Sequence, residues 1–173
     1  MAFQRVARPP SPRGLLQGLA ALSLLWTGLL AGTEEVVSFG PFGPVALYYG
    51  ARPPAHVVLF VSGDGGWNLG VVDMARALAG LDALVAGVDI NQYLKELAAP
   101  GQTCLYPAAD FESLSQFVQK RAGLPDYIAP VLVGYSSGAT LAYATLVQAP
   151  PAEFKGGISL GFCPDLLLPG PLC

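Results

Sequence analysis

Hydrophobic and polar positions along this chain switch between two rhythms. Positions 57–61 form an unbroken apolar run, as a strand covered on both faces would. Positions 83–88 form a second such run that ends at Asp89. Further strands are predicted at 130–133 and 157–161. Between the first two runs, Val71, Met74, Ala75 and Leu78 recur at i, i+3, i+4 and i+7. That spacing predicts a helix over 69–80, ended by Gly80. Phe111, Leu114 and Val118 mark a second helix from about 108 to 121. Its acids, Asp110 and Glu112, come early and Lys120 and Arg121 late, the order that suits a helix dipole. Positions 139–148 read as a small-residue helix stopped by Pro150-Pro151. Ahead of all these, 36–39 and 45–49 are short β-prone runs around Gly40-Pro41-Phe42-Gly43-Pro44, a hairpin-like edge. The stretch after Asp89 reads as a long loop crossing Pro100-Gly101. Strands separated by helices imply βαβ units, hence an α/β fold with a mostly parallel sheet and helices on both faces.

The first segment follows neither rhythm. Residues 1–13 carry Arg5, Arg8 and Arg13 and no acid, and 14–32 are apolar apart from Gln17, Ser23 and Thr27. A basic stretch followed by a hydrophobic one predicts an export signal over 1–33. The same stretch is long enough to remain as an uncleaved membrane anchor. The folded body is then 34–173. Removing the signal takes away three cations and leaves six basic against twelve acidic residues.

Composition narrows the function classes. Of 173 residues, 53% are hydrophobic and only 12% charged, where an ordinary domain is about 25% charged. Disorder and nucleic-acid binding both fit poorly with that balance and a net charge of −3. One His and three separated Cys match no zinc spacing, so neither a metal nor a cofactor is expected. In an oxidising compartment at most one internal disulfide can form. Cys163–Cys173 would close a short Pro-rich loop, and Cys104 with either of the others is equally allowed.

The chemistry concentrates after the third predicted strand. Gly134-Tyr135-Ser136-Ser137-Gly138 is a G-x-S-x-G sequence between an apolar strand and a small-residue helix, the context of a nucleophile elbow. A serine on such a turn points its hydroxyl outward, and glycines relieve crowding where strand and helix nearly touch. The helix N-terminus offers free N–H groups to a developing oxyanion. Ser136 is the candidate nucleophile, and Ser137 would supply a backbone N–H. Ser62-Gly63-Asp64-Gly65-Gly66-Trp67 follows the first buried strand, where α/β-hydrolases place a second oxyanion donor. Here the donor is expected near Gly65, and Trp67 reads as core. The same loop with Asp89 also suggests a dinucleotide-binding unit, but its third glycine is replaced by Asn68.

An α/β-hydrolase triad runs Ser, acid, His along the chain. After Ser136 the only acids are Glu153 and Asp165, and there is no His. The one His, His56, opens the first buried strand and is expected on the far side of the sheet. Without a base a serine hydroxyl stays protonated and weakly nucleophilic. The sheet is therefore expected to be incomplete at its C-terminal side, with residues 1–173 the N-terminal part of a longer protein.

The stretches LFVSGDGGWNLGVVDMARAL, AGVDINQYLKEL, PVLVGYSSGATLAYATL and GGISLGFCPDL resemble the AcvB/VirJ family of bacterial virulence proteins. The resemblance implies an exported, periplasmic, membrane-proximal protein with an α/β-hydrolase-like fold. Some members are linked to type IV secretion. AcvB-like members hydrolyse lysyl-phosphatidylglycerol, so a lipid or small ester substrate is implied, and a downstream domain or secretion-system component as partner. Carried over, Ser136 takes the nucleophile position and Gly63, Asp64, Gly65 and Gly66 the oxyanion side. AcvB-like proteins have two tandem domains. Thr103-Cys104-Leu105-Tyr106 and Glu112-Ser113-Leu114-Ser115-Gln116 are similar to features of the first, less catalytic one.

Overall fold

A computed structural model of the chain describes residues 32–173, apart from 100 and 102. The signal predicted over 1–33 therefore lies, but for its last two residues, outside the described part. Among the described residues no helix is long and apolar enough to cross a membrane.

Six strands form one sheet: β1 (Glu34–Ser38), β2 (Pro44–Tyr48), β3 (His56–Val61), β4 (Ala83–Val88), β5 (Val131–Tyr135) and β6 (Gly156–Leu160), in the order β1-β2-β4-β3-β5-β6. The hairpin-like edge is β1 paired antiparallel to β2 across a 3-10 turn at Gly40–Phe42, and β2 runs antiparallel to β4. All the other pairings are parallel. The chain has α/β-hydrolase-like architecture, as its pattern predicts.

The helices are α1 (Leu69–Ala79), α2 (Ile90–Leu97), α3 (Pro107–Arg121) and α4 (Ser137–Gln148). They lie on both faces because successive strand residues point oppositely. Val57, Leu59, Val61, Leu84, Ala86, Val88 and Leu132 pack with residues of α2, α3 and α4. Val58, Phe60, Val85 and Val133 pack with Val71, Ala75 and Ala79 of α1. Trp67 belongs to the second face. Its indole N–H donates to the Tyr48 hydroxyl at 3.1 Å, and a methyl on Gly87 would run into its ring.

Two expectations need correction. The long loop after Asp89 contains α2, because Ile90, Tyr93 and Leu97 are buried at helical spacing and Asp89 caps the first turn. Tyr93 stacks on Phe42 with ring centroids 4.6 Å apart, so α2 is fixed to the β1–β2 turn. The second correction concerns Cys163 and Cys173, which do not pair. Cys173 is bonded to Cys104, and Cys163 is exposed and free. The reason is local pairing. The Leu105 N–H donates to the Pro171 carbonyl at 2.8 Å and the Cys173 N–H to the Leu105 carbonyl at 3.0 Å. This bridge sets Cys173 beside Cys104, 69 residues away in sequence.

Candidate active site

β5 ends at Tyr135 and α4 begins at Ser137, so Ser136 alone makes the corner. Its φ of 55° and ψ of −123° are foreign to most side-chain-bearing residues. Holding them costs on the order of 1–3 kcal/mol, which the surrounding fold must offset. The glycines make the corner fit. A methyl on Gly134 would collide with the Gly138 carbonyl, and one on Gly138 with the carbonyls of Ser62 and Val61. Strand, elbow and helix thus touch backbone to backbone, and α4 starts two residues earlier than its apolar pattern suggests. The Ser136 N–H donates to the Leu160 carbonyl at 2.8 Å, tying the corner to β6.

The glycine loop meets this corner. β3 and β5 are parallel neighbours with Val61 opposite Gly134, so the residues after β3 face the residues after β5. A Cβ on Gly63 would lie 2.9 Å from the Ser136 Cβ, closer than any real pair of side chains allows. The Gly66 N–H closes a turn onto the Gly63 carbonyl at 2.9 Å, with Gly66 at φ +75°. Between loop and elbow lies a cleft of about 320 Å³ whose walls include Gly63, Asp64, Gly65, Met74, Tyr135 and Ser136.

Hydrogen-bond accounting shows what the cleft offers. The N–H groups of Gly66 and Trp67 are already engaged. Those of Gly63, Asp64 and Gly65 have no partner among the described residues. The first turn of α4 leaves the Ser137 N–H free as well, as helix starts do. Ser137 is itself buried, with its hydroxyl unpartnered. Residues with unspent N–H donors therefore lie on either side of Ser136, in the loop and at the start of α4, as an oxyanion site requires.

Among the described residues no histidine accompanies them. Asp64 and Tyr135 are the only titratable residues lining the cleft. His56 is exposed at the start of β3. It stands five residues of strand from the loop, roughly 16 Å at the usual rise. Glu153 lies before β6, at the same far end of the sheet. Burial, aided by nearby Glu112, raises its carboxyl above the ordinary value. Asp165 is exposed in the tail. A second cleft of about 330 Å³ also sits at the far end, but its Arg52 and Arg76 are already paired with Asp82 and Glu34.

The structure thus brings together Ser136, Ser137, Gly134, Gly138 and the 63–66 loop. It also places Asp89 and Asn91 against that loop. The sequence signal for them is the acid that ends the second buried run, Asp89.

Comparison with known proteins agrees with this fold. The model of a family described as bacterial virulence protein (VirJ) matches residues 55–156. No curated protein matches by sequence. Among solved structures, a thermostable carboxyl esterase from Bacillus coagulans is similar at 21% identity and a TM-score of 0.54, over 72% of this chain and 43% of its own. A Klebsiella pneumoniae protein named as a dienelactone hydrolase is similar at 18% and 0.55, over 82% of this chain and 65% of its own. The Pyrococcus horikoshii acylaminoacyl peptidase is similar at 18% and 0.54, over 75% of this chain and 23% of its own. These likenesses establish the fold, and this chain spans less than two thirds of each of those proteins.

Proposed function

This chain belongs to the VirJ family of bacterial virulence proteins, and on that premise we propose that it is a periplasmic serine-hydrolase-type protein acting on an aminoacyl or acyl ester of a phospholipid, such as lysyl-phosphatidylglycerol. The observation that carries this reading is the strained corner at Ser136, set against Gly63 and flanked by unspent N–H donors. In the reaction the Ser136 Oγ attacks the ester carbonyl carbon. Its proton passes to a base, and the carbonyl electrons move onto oxygen, held by the N–H of Ser137 and of the 63–65 stretch. Collapse expels the lipid alcohol, which takes the proton, and water then releases the acyl group from Ser136. One well-aimed oxyanion donor is worth about 100- to 1,000-fold in rate.

The step needs a histidine base with an orienting acid, and the residues lining the cleft include no histidine. The isolated body 34–173 is then expected to show no ester turnover. The test is a fluorophosphonate probe on the full-length protein. Labelling that disappears in Ser136→Ala supports the reading, and labelling that survives this change places the nucleophile elsewhere and ends it.

The lack of a histidine among the described residues lining the cleft favours one second reading, an envelope domain of the same fold without catalysis that positions a partner domain or a secretion component. A full-length protein that takes no label at Ser136, yet retains its partner, selects that reading.

A further inference from the structure

We propose that Asp89 and Asn91 are positioning residues that hold the 63–67 loop so that its free N–H groups face the cleft; this rests on the hydrolase reading above. β3 and β4 run in parallel register, with Val61 opposite Val88. The pairing continues one step further. The Ser62 N–H donates to the Val88 carbonyl at 3.0 Å, and the Ile90 N–H donates to the Ser62 hydroxyl at 3.1 Å. The end of β4 therefore lies directly beside the root of the loop.

Asp89 divides its two oxygens between two elements. Oδ1 accepts from the Asn91 N–H at 2.8 Å and caps α2. Oδ2 accepts from the Trp67 N–H at 3.1 Å and fixes the end of the loop. The approach depends on glycine, since a Cβ on Gly66 would lie 2.9 Å from that same oxygen. Asn91 then takes the middle of the loop, its Nδ2 donating to the Asp64 carbonyl at 2.9 Å. Asn68 Nδ2 donates to the Gly65 carbonyl at 2.6 Å, and the Gly63 carbonyl is held by the Gly66 N–H.

The carbonyls of Gly63, Asp64 and Gly65 are thus bound, while the N–H groups of the same three residues are left over. This sorting has a chemical consequence. An oxyanion is attracted by N–H groups and repelled by carbonyl oxygens. A trans peptide points its N–H opposite to its C=O, so the bond from Asn91 to the Asp64 carbonyl sets the direction of the Gly65 N–H. An unanchored glycine loop would flip these peptides freely. Asp89 and Asn91 do not themselves line the cleft, and they act through the backbone they hold.

The test uses Asp89→Asn, Asp89→Ala and Asn91→Ala in the full-length protein. The rate and affinity of fluorophosphonate labelling at Ser136 are separated, and melting temperature and amide hydrogen exchange are followed. Asn91→Ala, on the surface, is expected to slow labelling about tenfold with probe affinity and melting temperature unmoved, and to speed exchange at the Gly66 N–H that closes the loop turn. Asp89→Ala should slow labelling by about 100-fold, and Asp89→Asn should recover part of that because its amide oxygen still accepts one N–H. Wild-type labelling rates in both Asn91→Ala and Asp89→Asn would overturn the proposal. If Asp89→Ala fails to fold, those two variants decide. If the wild type takes no label, the hydrolase reading fails instead, and the exchange rates at Gly66 and Trp67 alone judge the clamp: faster in the variants upholds it, unchanged removes it.

Discussion

The two edges of the sheet are finished in opposite ways. On β1, adjacent Glu34 and Glu35 point to opposite faces, and each is met by an arginine. Arg76 of α1 takes Glu34 at 2.6 Å, and Arg121 of α3 takes Glu35 at 3.0 Å. Tyr49 adds its hydroxyl to Glu35 at 2.6 Å. On β6 there is no charge at all, and Ile158 and Leu160 are 46% and 38% exposed, followed by Phe162 at 49%. Exposed ion pairs of the first kind contribute little stability, but charge along an edge discourages another strand from adding to it. The sheet is therefore closed to additions on its antiparallel side and open on its parallel side, where the Ser136 corner lies one strand in.

The sharpest way to break this contrast is at the disulfide. Among the described residues the β6 side has no ion pair, and the tail after it is held at Leu105 by two backbone hydrogen bonds and the Cys104–Cys173 bridge. A bridge closing about 70 residues restricts the unfolded chain by about 4 kcal/mol. Reduction, or Cys173→Ser, should lower the urea unfolding free energy by up to that amount. A loss under about 1 kcal/mol would show that the bridge does not anchor this side.

A smaller effect is expected from moving one charge between the edges. Leu160→Lys should suppress self-association of the concentrated protein, read by light scattering. Val36→Lys, on an edge already charged, should leave it unchanged, with stability within about 0.5 kcal/mol of wild type. Equal responses from the two variants would erase the distinction.

The smallest effects are in pH. Hydrogen bonds from Arg76 and Arg121 lower the Glu34 and Glu35 carboxyls below their ordinary value of 4.5. The stability they contribute is fully present above that value and is lost as pH falls through the lowered folded values. Glu34→Gln with Glu35→Gln should flatten the acid arm of a melting-temperature profile. Asp110 works in the opposite direction, because burial raises its carboxyl. Its contribution is present at low pH and fades as pH rises. At the alkaline end, burial and then the Glu35 bond push the Tyr49 phenol up to about 12. Its contribution is complete below 10.0 and lost as pH rises through about 12.

Most of the fold was legible because its signals are local. Apolar runs marked β3 and β4, and i, i+3, i+4, i+7 spacing marked α1. The elbow was legible because a five-residue motif and its flanks carry it. Helix α2 carried the same kind of signal in Ile90, Tyr93 and Leu97, but it is only eight residues long and runs into Pro100-Gly101, so the stretch reads as loop. The Cys104–Cys173 pairing was illegible for a different reason. It depends on a single β-bridge between Leu105 and Leu172, and nothing near either cysteine announces that contact. The loop clamp falls between these cases, since its residues are visible in sequence while the direction of each peptide is a property of the packed backbone alone.

The Ser136 amide is held by the last residue of the outermost strand, through the Leu160 carbonyl. Fraying at this rim therefore gives slack to the nucleophile itself, and anything that zips onto the rim tightens it. Deuterium uptake at that one amide would serve as a gauge of whether the rim is loose or sealed, readable without any substrate.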